Sequence, residues 1–250
     1  MARSPMHWAL LATLWLTLSS LAAAIQPANP IPEGKAPKNN LESTINHRDT
    51  NKFLLRIMPL GASITMGYKS TDGNGYREHI REQLRYEGWQ VDMVGSKRNG
   101  TMRNNHHEGH IGFRVDQVSQ VAEKTIPKQP NLILINAGTN DALQKHSIDS
   151  IGTRMNSLIT KLFNQINDTT IILSTLLPNK KQPKLVKEIN KQYRHLAAVW
   201  RAKNARVVLA DMSLVREDQL VDGVHPDDYG YKEMASVWWA AIQVAEAEES

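Results

Sequence analysis

The chain has no cysteine among its 250 residues. That excludes disulfides, a thiolate nucleophile and any cysteine-held metal, so the fold must rest on its core. It also lacks an unbroken apolar run of the roughly 20 residues that a membrane-spanning helix needs. The candidate stretch, from Trp8, is short and is broken by Ser19 and Ser20. Basic residues are scattered despite a formal net charge of +5, and the one concentration, Lys180-Lys181 to Lys187, is small. No nucleic-acid or membrane footprint follows from it. Internal repeats and low-complexity segments are absent.

What is present begins with a targeting pattern. Arg3 is the only charge in residues 1–24, an apolar stretch follows, and Ala22-Ala23-Ala24 is a small-residue cleavage site. Residues 1–24 therefore read as a signal peptide, and the mature protein is expected to be secreted, with no membrane attachment after cleavage. Residues 25–50 are polar and carry Pro27, Pro30, Pro32 and Pro37, which reads as a flexible leader. Residues 51–250 are expected to form one domain, long enough to bury about 70% of its unfolded surface. Asn99-Gly100-Thr101 and Asn167-Asp168-Thr169 are sequons, open to N-glycosylation in a eukaryotic host.

From Phe53 onward apolar runs alternate with helical periodicity. Strands are expected over residues 53–60, 90–94, 131–136, 169–177 and 206–210. Helices are expected over 75–86, near 115–122, and over 148–166, 185–203 and 230–248. Residues 95–112 read as a long polar loop. Short strands that are apolar on both faces and separated by helices demand a parallel sheet covered on both sides. Right-handed crossovers leave few topologies. The expected fold is α/β, a three-layer doubly wound sheet of five parallel strands in the flavodoxin-like order 2-1-3-4-5. Such sheets place their site at the carboxyl ends of the strands.

Four stretches fall at that edge. Leu60-Gly61-Ala62-Ser63-Ile64-Thr65-Met66-Gly67 ends the first strand in a turn that can lift the Ser63 hydroxyl out of the core. The plain alternative is that Ser63 is a helix N-cap. The others are Glu108-Gly109-His110-Ile111-Gly112, Gly138-Thr139-Asn140-Asp141 and Asp222-Gly223-Val224-His225-Pro226. Ester hydrolysis needs a nucleophile, a base, a group that orients the base, and oxyanion donors. Ser63, His225 and Asp222 suit the first three. The N–H groups of Ser63 and Gly112 and the side-chain amide of Asn140 suit the fourth, with Gly109 an alternative to Gly112. Taken singly each has a structural explanation; their order and placement together point to an enzyme.

With these residues in place, the chain resembles the SGNH hydrolases, or GDSL-like esterases, from about Arg56 to about Tyr231. Ser63, Gly112, Asn140 and His225 match the four marker residues, and Asp222 completes an Asp-x-x-His element. Leu60 to Thr65, Asp72-Gly73-Asn74-Gly75-Tyr76-Arg77, Met93-Val94-Gly95-Ser96 and Glu108-Gly109-His110 are similar to carbohydrate esterase family three, the acetyl xylan esterases. Ala62 stands where the family's name motif has Asp, and Ile111 is a second departure. The resemblance implies a serine esterase acting on small acyl, chiefly acetyl, esters of a small molecule or polysaccharide, with no cofactor. Other readings are a lipid esterase or lysophospholipase, a thioesterase or acyltransferase of the same fold, and a non-catalytic glycan-binding relative. His106-His107-Glu108-Gly109-His110 is dense in histidine, but Gly109 and the position of Glu108 oppose a helical zinc motif, so no metal is expected. Trp200, Trp238 and Trp239 are expected in the core.

Overall fold

The computed structural model describes residues 52–248. The expected signal peptide and leader lie outside those residues. Strand β1 (Leu54–Gly61) runs into a one-turn helix, α1 (Ser63–Met66), followed by α2 (Tyr76–Tyr86) and β2 (Gln90–Met93). Next come β3 (Lys97–Arg98), β4 (His106–Gly109) and α3 (Val115–Ala122). The chain continues through β5 (Leu132–Asn136), α4 (Thr139–Leu143), α5 (Ile151–Gln165) and β6 (Thr170–Ser174). It closes with α6 (Pro183–Arg201), β7 (Val207–Ala210) and α7 (Asp228–Glu248).

The unbroken apolar runs of the strands have a simple cause. Successive side chains point to opposite faces, and each face has its own core. Ile57, Leu132, Leu134, Ile172 and Val208 join a cluster with Tyr76, Ile80, Leu84, Met234 and Trp238 of α2 and α7. Met58, Ile133, Ile135, Ile171, Leu173 and Val207 join the opposite cluster, with residues of α3, α5 and α6 such as Val118, Leu158 and Ile189. A strand buried on both sides cannot show polar alternation. Trp238 is fully buried, and its ring lies 5.6 Å from that of Tyr76.

The parallel strands β2, β1, β5, β6 and β7 lie side by side in that order. Two further strands correct the expected count of five. Residues 95–112 are not a featureless loop: β3 and β4 form an antiparallel ladder, and β4 joins β1 in parallel, opposing Leu60 to Glu108 and Gly61 to Gly109. One edge of β1 thus carries β2 along its first half and β4 along its last two residues. Hydrophobicity gives no sign of β4, whose sequence is His-His-Glu-Gly. Side-chain hydrogen bonds hold that region instead. Asn104 Nδ2 donates to Asp92 Oδ1 at 2.8 Å, and its Oδ1 accepts the Met93 N–H at 2.6 Å. The short helix α4 also escaped the periodicity, since one turn is too brief to show it.

The Asp72-to-Arg77 stretch works as a staple. Arg77 is fully buried and donates to the carbonyls of Met66, Gly73, Asn99 and Asn105, each at 2.9 Å. Burial pushes its guanidinium down to about 10. Asn74, also buried, donates to Glu78 and Thr101 and accepts the Met102 N–H. Together they tie the loop after α1 to the loop between β3 and β4.

Candidate active site

Ser63 is the first residue of α1, and Ala62 takes the N-cap position with no side-chain cap bond. The N-cap reading of Ser63 is therefore replaced by another use of its hydroxyl. Ser63 Oγ lies 2.9 Å from His225 Nε2. On the far side of the ring, His225 Nδ1 lies 2.8 Å from Asp222 Oδ2 and 3.1 Å from Oδ1. With Nδ1–H donated to the carboxylate, Nε2 is left as an acceptor for the serine O–H.

The loop that brings Asp222 and His225 together is closed by its own backbone. Val221 N–H donates to the His225 carbonyl at 2.9 Å, and Leu220 bridges Pro226. Asp222 Oδ1 also accepts the N–H groups of Val224 and His225 at 3.1 and 2.9 Å. Burial raises the Asp222 carboxyl, but these hydrogen bonds and the His225 ring outweigh it and bring the group down to about 2. Tyr68 packs edge-on against His225, with ring centroids 4.8 Å apart. Its own carbonyl accepts the Tyr231 hydroxyl at 2.6 Å, and its N–H donates to the Ser63 carbonyl at 3.0 Å. Nothing in the sequence marks Tyr68 as a neighbour of His225, because that contact exists only once α7 has docked.

Asn140 lies in the first turn of α4 and is 8% exposed. Its Nδ2 donates to the Phe113 carbonyl at 3.0 Å, which leaves one amide hydrogen for another acceptor. The next residue anchors α4. Asp141 is fully buried and accepts from the Val115 N–H at 3.0 Å and from Arg154 at 2.7 Å. Burial nevertheless holds its carboxyl above the usual range, against the pull of Arg154.

The two glycines of the second stretch differ sharply. A Cβ on Gly109 would lie 2.7 Å from Met66 N and 2.8 Å from the Ala62 carbonyl oxygen, so only glycine lets β4 reach the underside of α1. The Gly109 N–H is donated to His107 Nδ1 at 3.0 Å. Gly112 sits in open space at φ +80°. It is the third residue of a tight turn closed by Phe113 N–H to the His110 carbonyl at 3.3 Å, the turn position that calls for positive φ.

The histidine-rich stretch is not an open polar loop lining a cleft. His107 and Glu108 are buried, and Asn105 Nδ2 is spent on the Gly100 carbonyl. His106 Nε2 accepts from Arg98 Nε at 2.8 Å. The described residues hold no group of three His, Asp or Glu side chains arranged to bind a metal ion. Among them, no helix is long and apolar enough to cross a membrane. Of the two sequons, Asn167 is exposed in the turn after α5. Asn99 instead donates its amide to the carbonyls of Met66 and Gly73 at 3.1 and 2.8 Å.

Comparison with known proteins places this geometry in context. The model of the GDSL-like lipase/acylhydrolase family matches residues 57–238. A multidomain esterase of Ruminococcus flavefaciens is 27% identical across 76% of this chain, which spans 28% of that relative. A family 3 carbohydrate esterase of Clostridium thermocellum superposes with a TM-score of 0.71 at 24% identity, over 78% of this chain and 98% of its own. A carbohydrate esterase family 3 protein from Talaromyces cellulolyticus gives 0.68 at 23% identity, over 77% and 99%. At these identities the structural likeness speaks for the fold.

Proposed function

The chain belongs to the GDSL-like lipase/acylhydrolase family of carboxylic ester hydrolases, and we propose that it is a secreted serine esterase that removes small acyl groups, chiefly acetyl, from carbohydrate. The observation that carries the chemistry is the continuous Ser63–His225–Asp222 chain, with contacts of 2.9 and 2.8 Å. In this reading Ser63 Oγ attacks the ester carbonyl while His225 Nε2 takes its proton. Asp222 fixes the ring's tautomer and stabilises the imidazolium. His225 then gives the proton to the leaving alkoxide, the acyl group stays on Ser63, and water activated by His225 releases the acid.

The negative oxygen of the tetrahedral intermediate needs donors already in place. Ser63 N–H is suited to this role, since the first N–H groups of a helix have no partner within it. Asn140 offers its second amide hydrogen. For the third donor Gly112 is favoured over Gly109, whose N–H is already taken by His107. No step calls for a cofactor.

The substrate side of the proposal draws on the likeness to two family 3 carbohydrate esterases, each covered almost end to end. Export draws on the signal-like residues 1–24. The test is acid release from a panel of acetylated xylan, other acetylated sugars, lysophospholipid and aryl esters of increasing chain length. Acetyl sugars should be the best substrates. Faster cleavage of octanoyl or longer esters would replace the carbohydrate reading with a lipid esterase.

A further inference from the structure

Glu108 is a fully buried carboxylate that the chemistry above does not use. It is saturated with donors. Its Oε1 accepts from Ser96 Oγ at 2.7 Å and from His110 Nε2 at 2.6 Å. Its Oε2 accepts the Ser96 N–H at 2.8 Å and the Thr125 hydroxyl. Burial alone would raise this carboxyl, yet these four hydrogen bonds hold it below the usual range. A buried charge so completely satisfied is a rigid fixture, since loss of any donor would leave one of its oxygens short of a hydrogen bond away from water.

What the fixture holds is His110. The Glu108 carboxylate grips one ring nitrogen, while the His110 backbone N–H donates to the Gly61 carbonyl at 3.1 Å, two residues before Ser63. The His110 ring stacks on Phe113, with centroids 4.9 Å apart and planes at 19°. Phe113 in turn offers its carbonyl to the Asn140 amide at 3.0 Å. In the chain, Ile111 and Gly112 separate the two residues and form the turn closed from Phe113 to His110. Both ends of that turn are therefore pinned, one to β1 and the buried carboxylate, the other to the first ring.

We propose that Glu108 and His110 form a positioning pair for the oxyanion site: the Glu108-held imidazole fixes the His110–Phe113 turn, which aims the Asn140 amide. Neither residue touches the reacting atoms. The inference rests on the reading of Asn140 as an oxyanion donor. An amide held by one carbonyl swings about that hydrogen bond unless the carbonyl itself is fixed. The ring stack and the carboxylate supply that fixation, and an oxyanion donor is effective only when it is preorganised.

A double-mutant cycle on the full chain tests this, with kcat and KM measured for a small acetate ester. His110→Ala should lower kcat about tenfold and leave KM within about twofold, because the lost effect is confined to the transition state. In an Asn140→Ala background the same substitution should lower kcat by less than about threefold, since the group it positions is gone. His110→Phe, which keeps an aromatic ring on Phe113 but loses the bond to Glu108, should fall between His110→Ala and the parent. Thermal melting of each variant separates loss of folding from loss of positioning. Equal tenfold losses in both backgrounds would put the effect on the Gly112 N–H of the same turn and overturn the aiming of Asn140, and an effect confined to KM would overturn positioning altogether; either result leaves Asn140 as a donor. An Asn140→Ala variant with unchanged kcat would remove the reading beneath it.

Discussion

Ser63 Oγ and His225 Nε2 lie 2.9 Å apart although 162 positions separate them in the chain. Neither contact partner is carried by a flexible arm. Ser63 opens α1 directly after a central strand, and His225 sits in a loop tied by its own backbone and by Asp222. The pair is thus held before any substrate arrives, as a proton transfer timed with nucleophilic attack requires.

From this follows the first expectation. Ser63→Ala should abolish turnover while leaving the melting temperature almost unchanged, since among the described residues the hydroxyl is hydrogen-bonded to the His225 ring alone. A fluorophosphonate should label the parent on Ser63 and leave the variant unlabelled. Label found elsewhere in active enzyme would sink the nucleophile assignment.

Asn140→Ala should lower kcat by about 10²–10³, the usual loss for one oxyanion donor, with little change in KM. The Phe113 carbonyl would lose its donor as well, so a small drop in melting temperature should accompany the kinetic loss. Steady-state kinetics on an aryl acetate decide the point, and a change in KM alone would contradict it.

The layered α/β fold was legible because continuous apolar runs separated by amphipathic helices admit few packings. Ser63, Asp222 and His225 could be proposed together because glycine-bearing turns at strand ends can present side chains at one edge of a sheet. The β3–β4 ladder was hidden for the opposite reason. Its residues are polar, and Glu108, Asn104 and Asn99 stabilise it through partners distant in sequence. Hydrophobic period carries no trace of such bonds. The same holds for Tyr68 and Phe113, whose places beside His225 and Asn140 depend on packing between elements.

The two sequons should behave differently in a glycosylating host. Asn167 is exposed in a turn, whereas the Asn99 amide nitrogen makes two hydrogen bonds to backbone carbonyls. A glycan replaces one amide hydrogen and adds bulk there, so it would break the staple around Arg77. Peptide mapping of protein folded and exported from such a host should find glycan on Asn167 and an unmodified Asn99. Full occupancy at Asn99 in active protein would contradict the packing described for that loop.

Acid should weaken the fold through two groups, one acting from near-neutral pH and the other lower. His107 is 1% exposed, and burial, with the charges of Arg77 and its histidine neighbours, pushes its imidazole down to about 3. The unfolded chain binds that proton near pH 6.5, so the unfolded state gains it first. Stability from the neutral ring is therefore complete at and above neutral pH and is lost as pH falls from about 6.5 towards 3, amounting to about 2 kcal/mol by pH 5. For a domain of this size that is a fall of about 4–8 °C in melting temperature. Asp222 acts lower. Its carboxyl is depressed from 3.8 to about 2, so its contribution is present above pH 4 and disappears only as pH drops through that range. The measurement is the melting temperature of the parent and of His107→Asn at pH 8, 6.5 and 5. The variant should start lower, because ring packing is lost, but its curve should be flatter by most of the parent's fall. Parallel curves would show that His107 is not the group that takes up the proton.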